Sequence, residues 1–97
     1  MQIQARFFTS LREIVNKKEE TLKFPEGEKV TVDTVLKTLA QRHGKRFIEY
    51  VCDAKTGEVR GFLQFLVNGK SATTLDGLHT ELEDGDVLAI LPPVGGG

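Results

Sequence analysis

Cysteine occurs once, at position 52, so no disulfide can close within the chain, and tryptophan does not occur at all. Charge of one sign is missing too: 13 basic residues stand against 14 acidic ones, for a formal net charge of −1. Nucleic-acid binders normally carry a basic excess, so that class of partner is not expected. No apolar run approaches the ~20 residues that cross a bilayer. The first residues alternate as a strand and do not form a leader, so neither membrane nor export is expected, and a lone thiol suits a cytoplasmic protein. Glycine loops that cradle phosphates are absent as well. Neither GxxxxGK followed by Ser or Thr, nor GxGxxG between strand and helix, can be found, so the chain has no evident means of binding ATP itself. His43, His79 and Cys52 lack any metal-ligand spacing, and no resident metal or cofactor is expected.

What is present suits one folded domain. Apolar residues make up 39% and charged residues 28% of 97 positions, enough for a single core and too little for two. Ile3, Ala5 and Phe7 alternate with Gln2, Gln4 and Arg6, the period of a strand with one buried face. Ser10 can cap a short helix from Leu11 to about Asn16, and a second strand runs from Glu20 to Phe24 before a turn at Pro25 to Glu28. Thr31 reads as the cap of a longer helix, with Val32, Val35, Leu36, Leu39 and Ala40 on one face and Gly44 at its end. Arg42, His43, Lys45 and Arg46 gather there, where the helix dipole favours positive charge; binding a phosphate is the less favoured reading. Phe47 to Cys52 could be strand or helix, and Asp53 to Glu58 reads as a loop or hairpin turn.

Phe62 to Val67 is the most hydrophobic strand candidate. Asn68-Gly69 after it fits a type I′ hairpin turn into a short strand at Ser71 and Ala72. Leu75, Leu78 and Leu82 suggest a small apolar satellite, and Asp84 to Asp86 turns into a last strand, Val87 to Leu91. The order suits an α+β domain with a mixed sheet on one main helix. If the last strand lies beside the first in the sheet centre, parallel to it, the C-terminal tail leaves from the end where Phe8 sits. Pleating then suggests that Ile3, Ala5, Phe7, Phe65, Val67, Val87, Ala89 and Leu91 face the helix. Arg6, Phe8, Phe62, Leu66, Leu88 and Ile90 would point the other way, as an apolar patch fit for a partner.

The chain closes on Pro92-Pro93-Val94-Gly95-Gly96-Gly97. Two prolines stop a strand, and three glycines add nothing to a core, so residues 1–91 read as the domain and 92–97 as a flexible tail. Extended, the tail would reach roughly 20 Å, far enough to enter another protein's active site. A glycine end leaves the terminal carbonyl uncrowded for attack. A frayed or linker-like end is the plainer reading of the glycines alone.

Taken together, Phe7 to Glu13 (FFTSLRE), Thr31 to Leu39 (TVDTVLKTL), Leu66 to Lys70 (LVNGK), Leu75 to Leu82 (LDGLHTEL), Asp84 to Val94 (DGDVLAILPPV) and the Gly-Gly end resemble the MoaD and ThiS family of ubiquitin-like proteins. The likeness runs in order over nearly the whole chain. Residues 45 to 61 resemble the longer MoaD-like and small archaeal modifier members. The resemblance implies a ubiquitin-like β-grasp fold and a Gly97 carboxylate adenylated by a ubiquitin-activating-type enzyme, which supplies ATP and Mg²⁺. It further implies a thiocarboxylate used for molybdopterin synthesis, with the molybdopterin synthase large subunit as partner, or for tRNA thiolation. The alternative is an isopeptide bond to target-protein lysines. Val94, Gly95 and Gly96 would serve as the tail, and Pro92 and Pro93 would join the partner interface. Gly95 and His79 depart from residues common in the family. A domain that binds partners non-covalently, with an inert tail, is the third reading.

Overall fold

The structure is a computed structural model that describes residues 1–92; the expectations for Pro93, Val94, Gly95, Gly96 and Gly97 lie outside the described residues. Among the described residues, five strands form one mixed sheet: β1 (Gln2–Phe7), β2 (Glu19–Lys23), β3 (Gln64–Val67), β4 (Lys70–Ser71) and β5 (Val87–Leu91), in the order β2-β1-β5-β3-β4. β1 and β5 run parallel at its centre, and every other pairing is antiparallel.

Alternation in β1 buries Ile3, Ala5 and Phe7, and β2 adds Leu22 to the same side. Between these strands lies α1 (Thr9–Val15), with Leu11 and Val15 one turn apart on its buried side. Its cap is Phe8, with no side-chain hydrogen bond, and not Ser10 as expected. Asn16 ends it in the left-handed conformation at φ 61°, a role asparagine accepts because its strain there is small.

The main helix, α2 (Val32–His43), starts on Thr31 as its sequence indicates. The Thr34 N–H donates to Thr31 Oγ1 at 3.2 Å, and the Thr31 N–H donates back to Thr34 Oγ1 at 3.1 Å, a reciprocal cap that satisfies two otherwise orphaned donors. Val32, Val35, Leu36 and Leu39 pack on the sheet. Gly44, at φ 78°, stops α2 and turns straight into α3 (Lys45–Val51). The ambiguous stretch from Phe47 is therefore helix, with Phe47 and Val51 buried one turn apart. The turn after it is closed by the Asp53 N–H on the Glu58 carbonyl at 2.8 Å.

The hairpin of β3 and β4 has positive φ at both Asn68 (51°) and Gly69 (86°), as a type I′ turn requires. Two expectations fail nearby. Phe62 is not in β3 but in the turn before it, 48% exposed, and its ring meets Tyr50 edge-on at 6.5 Å between centroids. The leucine satellite does not exist as a unit: Leu82 joins the main core, Leu78 packs against it, and Leu75 is exposed. Ala72 to Thr74 and Gly77 to His79 are single 3-10 turns.

Candidate functional site

The register of β5 decides which side chains are offered to a partner. In the parallel pairing, Ala5 lies beside Leu88 and Phe7 beside Ile90. On the other flank Phe65 pairs with Ile90 and Val67 with Leu88. Neighbours in a register share a face, so Leu88 and Ile90 point into the core with Ile3, Ala5 and Phe7, and both are 0% exposed. This corrects the expected faces: Leu88 and Ile90 are not partner residues, and Val87, Ala89 and Leu91 do not face the helix. The reason is local. Val-Leu-Ala-Ile-Leu is apolar at every position, so its pattern carries no face, and a slip of one residue exchanges the two sets.

The face away from the helices is built from neighbouring rows. Gln4 pairs with Val87, Arg6 with Ala89 and Ala89 with Leu66, and Leu91 pairs with Gln64. Leu66, Val87, Ala89 and Leu91 are all half-buried there, and Phe8, just beyond β1, is half-buried at the same end as Leu91. The Arg6 guanidinium lies 5.8 Å from the centre of the Phe8 ring and pairs loosely with Glu19 at 3.9 Å. An apolar centre with a charged rim is the anatomy of a protein interface. Of the expected interface, Arg6, Phe8 and Leu66 stand on this face or at its rim. Phe62 is in the turn preceding β3, and Pro92 is buried, held by the body. Val87, Ala89 and Leu91 were missed; the signal that finds them is pairing with β1, which places Leu88 beside Ala5.

Leu91 ends β5, and Pro92 leaves the sheet beside Phe8 and the start of α1. Around this exit Tyr50 of α3 shares a hydrogen bond with Ser10 of α1, 3.1 Å between hydroxyls. α3 is thereby tied to the same end of the molecule as Leu91.

The cationic end of α2 has a different use from phosphate binding. Glu20 of β2, though charged, is buried; the Arg42 guanidinium donates to its Oε2, and His43 Nε2 lies 2.7 Å from its Oε1. Lys17 approaches Oε1 to 3.7 Å. Burial pushes the Glu20 carboxyl up, but hydrogen bonds from Arg42 and His43, with the charges of His43 and Lys17, carry it below the ordinary carboxylate range. The His43 ring sits between Phe7 at 6.3 Å and Phe47 at 6.0 Å. The sequence held one signal for this cluster. Glu20 is two residues from Leu22 and so shares its buried face, where a carboxylate needs partners.

Among the described residues, no group of three or more His, Cys, Asp or Glu stands close enough to hold a metal ion, and Cys52 is half-buried. No helix of the described residues is long and apolar enough to cross a membrane.

Comparison with known proteins follows this architecture closely. Over its full length, and over the full length of the relative, the chain is 35% identical to small archaeal modifier protein 3 of Haloferax volcanii. The crystal structure of SAMP1 from the same organism superposes with a TM-score of 0.82 at 26% identity, with complete coverage of both chains. The solution structure of small archaeal modifier protein 1 from Methanosarcina acetivorans gives 0.79 at 34% identity, covering 99% of this chain and 96% of that one. The model of the ThiS family matches residues 5–97, and with it the sheet order, the central parallel pair and the Pro-Pro-Val-Gly-Gly-Gly segment find one explanation: the chain belongs to the ThiS family of ubiquitin-like β-grasp sulfur carriers and modifiers.

Proposed function

We propose that this protein is a cosubstrate whose Gly97 carboxylate is activated as an acyl-adenylate by a ubiquitin-activating-type enzyme. The observation that carries the reading is the continuity of the outer sheet face with the chain end. Phe8, Leu66, Ala89 and Leu91 form an apolar surface, and the next residues are the Pro-Pro-Val-Gly-Gly-Gly segment included in the family match. An enzyme seated on that surface would have the carboxylate delivered to it by β5.

The chemistry balances with the partner's reagents. A Gly97 carboxylate oxygen attacks the α-phosphorus of ATP and pyrophosphate departs, with Mg²⁺ offsetting the phosphate charge; a nucleophile then attacks the carbonyl and AMP departs. Without a Cβ, glycine leaves that carbonyl open on both faces. If the nucleophile is hydrosulfide, its sulfur bonds the carbonyl carbon as AMP departs and its proton goes to solvent, and the product is a C-terminal thiocarboxylate, a sulfur source for molybdopterin synthesis, through the synthase large subunit, or for tRNA thiolation. A likeness of 35% identity, spanning the full length of both chains, to a protein named as a small archaeal modifier favours a second outcome, attack by a target-protein lysine to give an isopeptide bond. Both outcomes share the adenylate.

The test incubates the intact protein with its activating enzyme, ATP and Mg²⁺. Pyrophosphate release is expected, and after addition of a sulfur donor the C-terminal peptide should gain the mass of sulfur less oxygen. A ladder of conjugates in native lysate would assign the lysine outcome. Modification found on Cys52 or a lysine, with the C-terminal carboxylate unchanged, would overturn both.

A further inference from the structure

One edge of the sheet is β2, and its backbone can be followed group by group. The Phe24 N–H donates to the Met1 carbonyl and the Phe7 N–H to the Lys18 carbonyl, both at 2.8 Å, one step beyond each end of the β1–β2 register. Bonded and non-bonded pairs alternate along an antiparallel ladder, so Leu22 and Glu20 bond to Ile3 and Ala5. Lys23, Thr21 and Glu19 then turn their N–H and C=O groups away from β1. The other flank of β1 keeps the same phase: the Gln4 N–H donates to the Asp86 carbonyl at 3.0 Å, and the Gln2 carbonyl accepts the Gly85 N–H at 2.8 Å. Among the described residues no strand lies beyond β2, and no other hydrogen bond uses the main-chain groups of Glu19, Thr21 or Lys23. All three residues are exposed.

Charges on a bare edge normally keep other strands away. Here their order does the reverse for one partner. When two copies of Glu19-Glu20-Thr21-Leu22-Lys23 run antiparallel with Thr21 opposite Thr21, each Glu19 stands opposite the Lys23 of the other copy. In that register all three outward-turned residues exchange both backbone bonds with their counterparts, and unlike charges and paired threonines are favourable cross-strand neighbours. Other registers are worse. A shift of one residue sets free backbone groups against spent ones. A shift of two sets Lys17 against Lys23 in one direction, and in the other sets Glu19 against Pro25, which has no N–H.

We infer that β2 is the docking edge for a second copy of this chain, the two sheets joining across a two-fold axis at Thr21. Such an interface is isologous: Glu19 meets Lys23, and Lys23 meets Glu19. On the helix side Glu20 and Leu22 are already buried within their own copy, so the pairing leaves no apolar surface there to cover. The axis stands perpendicular to the sheet, which leaves Phe8, Leu66, Ala89 and Leu91 uncovered in both copies, with the two Leu91 ends pointing in opposite directions. The pairing neither blocks the proposed activation at Gly97 nor depends on it. A strand of five residues buries less than the roughly 1,200–2,000 Å² of a stable interface, so the pair is transient, half formed at about 0.1–1 mM chain.

The test is a dilution series of the ¹⁵N-labelled full chain from about 2 mM downwards, read by amide shifts and by translational diffusion. Concentration-dependent shifts are expected at Glu19, Thr21 and Lys23, with slowed hydrogen exchange of their amides at the high end. Thr21→Pro should keep the fold, because the N–H it removes faces away from β1, and should abolish the pairing. Glu19→Lys or Lys23→Glu alone should weaken it about ten-fold by setting like charges opposite one another. The double exchange should restore it, and so should mixing the two single variants, which again sets unlike charges face to face. A chain that stays monomeric at 2 mM would overturn the proposal, as would pairing that survives Thr21→Pro or a double exchange that rescues nothing. Shifts confined to the outer sheet face would overturn it too. A monomer whose Thr21 amide responds only to a blocked Thr-Val-Thr-Val-Thr peptide would give the edge to another protein's strand and refute the second copy.

Discussion

Leu88→Ala and Leu66→Ala delete the same three carbons from adjacent central strands, yet they should differ sharply in cost. Leu88 is 0% exposed and touches the layer formed by Ala5, Val67 and the helix side, so its removal leaves a closed cavity. Such deletions cost about 2–5 kcal/mol, against a total of about 5–15 kcal/mol for a domain of this kind. For fewer than a hundred residues, each kcal/mol moves the midpoint by about 4–8 °C, so a loss of about 3 kcal/mol lowers Tm by roughly 12–24 °C. Leu66 is half-buried on the outer face, where water fills the space left behind. Only part of its transfer free energy is lost, about 1 kcal/mol, or roughly 4–8 °C. Urea titrations with unchanged slope give both values, and pyrophosphate release, measured well below both midpoints, gives the other half of the argument. Leu66→Ala should lose docking on the activating enzyme; Leu88→Ala should keep it while folded. Equal midpoint shifts, or docking lost only at Leu88, would refute the assignment of faces.

Further outcomes are expected elsewhere. Because the Glu20 carboxyl is lowered in the folded state, it adds stability above its unfolded value near 4.3 that is lost as pH falls through the folded value. Glu20→Gln should therefore flatten the acid limb of a stability-versus-pH curve, at a cost of about 1–3 kcal/mol at neutral pH, since Arg42 is half-exposed and partly rehydrated. An unaltered acid limb would remove Glu20 from that role. Thr31→Ala should cost about 1–2 kcal/mol in urea unfolding through loss of the reciprocal cap, whereas Ser10→Ala should cost no more than its hydrogen bond to Tyr50. Deleting Gly96 and Gly97 should leave the unfolding midpoint in place and abolish pyrophosphate release; Gly97→Ala should slow release more than Gly95→Ala, because its Cβ would stand on the carbon next to the proposed reacting carbonyl.

The elements most legible in the sequence carry two signals at once. α2 has both a cap and a helical stripe, the β3–β4 hairpin has both strand composition and Asn-Gly, and β1 alternates polar with apolar. α3 was ambiguous because Phe47, Ile48, Tyr50 and Val51 are strand formers by composition; Gly44 breaking α2 and Phe47 and Val51 packing a turn apart decide for helix. The outer face was half legible: Leu66 follows from polar Gln64, but β5 has no polar residue to mark its side. Glu20 escaped notice because its partners, 22 and 23 residues away, are near it only after folding.

The parallel pair at the sheet centre also sets the order of events during synthesis. Ala5 meets Leu88 across nearly the whole chain, and closing so long a loop delays the pairing relative to local contacts such as α2 or the β3–β4 hairpin. β1 and β3 each use β5 as a neighbour, so a nascent chain that has not reached residue 87 has a gap where the middle of its sheet belongs. Two hydrogen-bonding edges and the apolar floor of α2 stay uncovered until then, the kind of surface that recruits chaperones. Folding is thereby tied to the arrival of β5, the strand that leads into the proposed acyl-donor segment, and an interrupted chain lacks the finished outer face on which the proposed activating enzyme would dock.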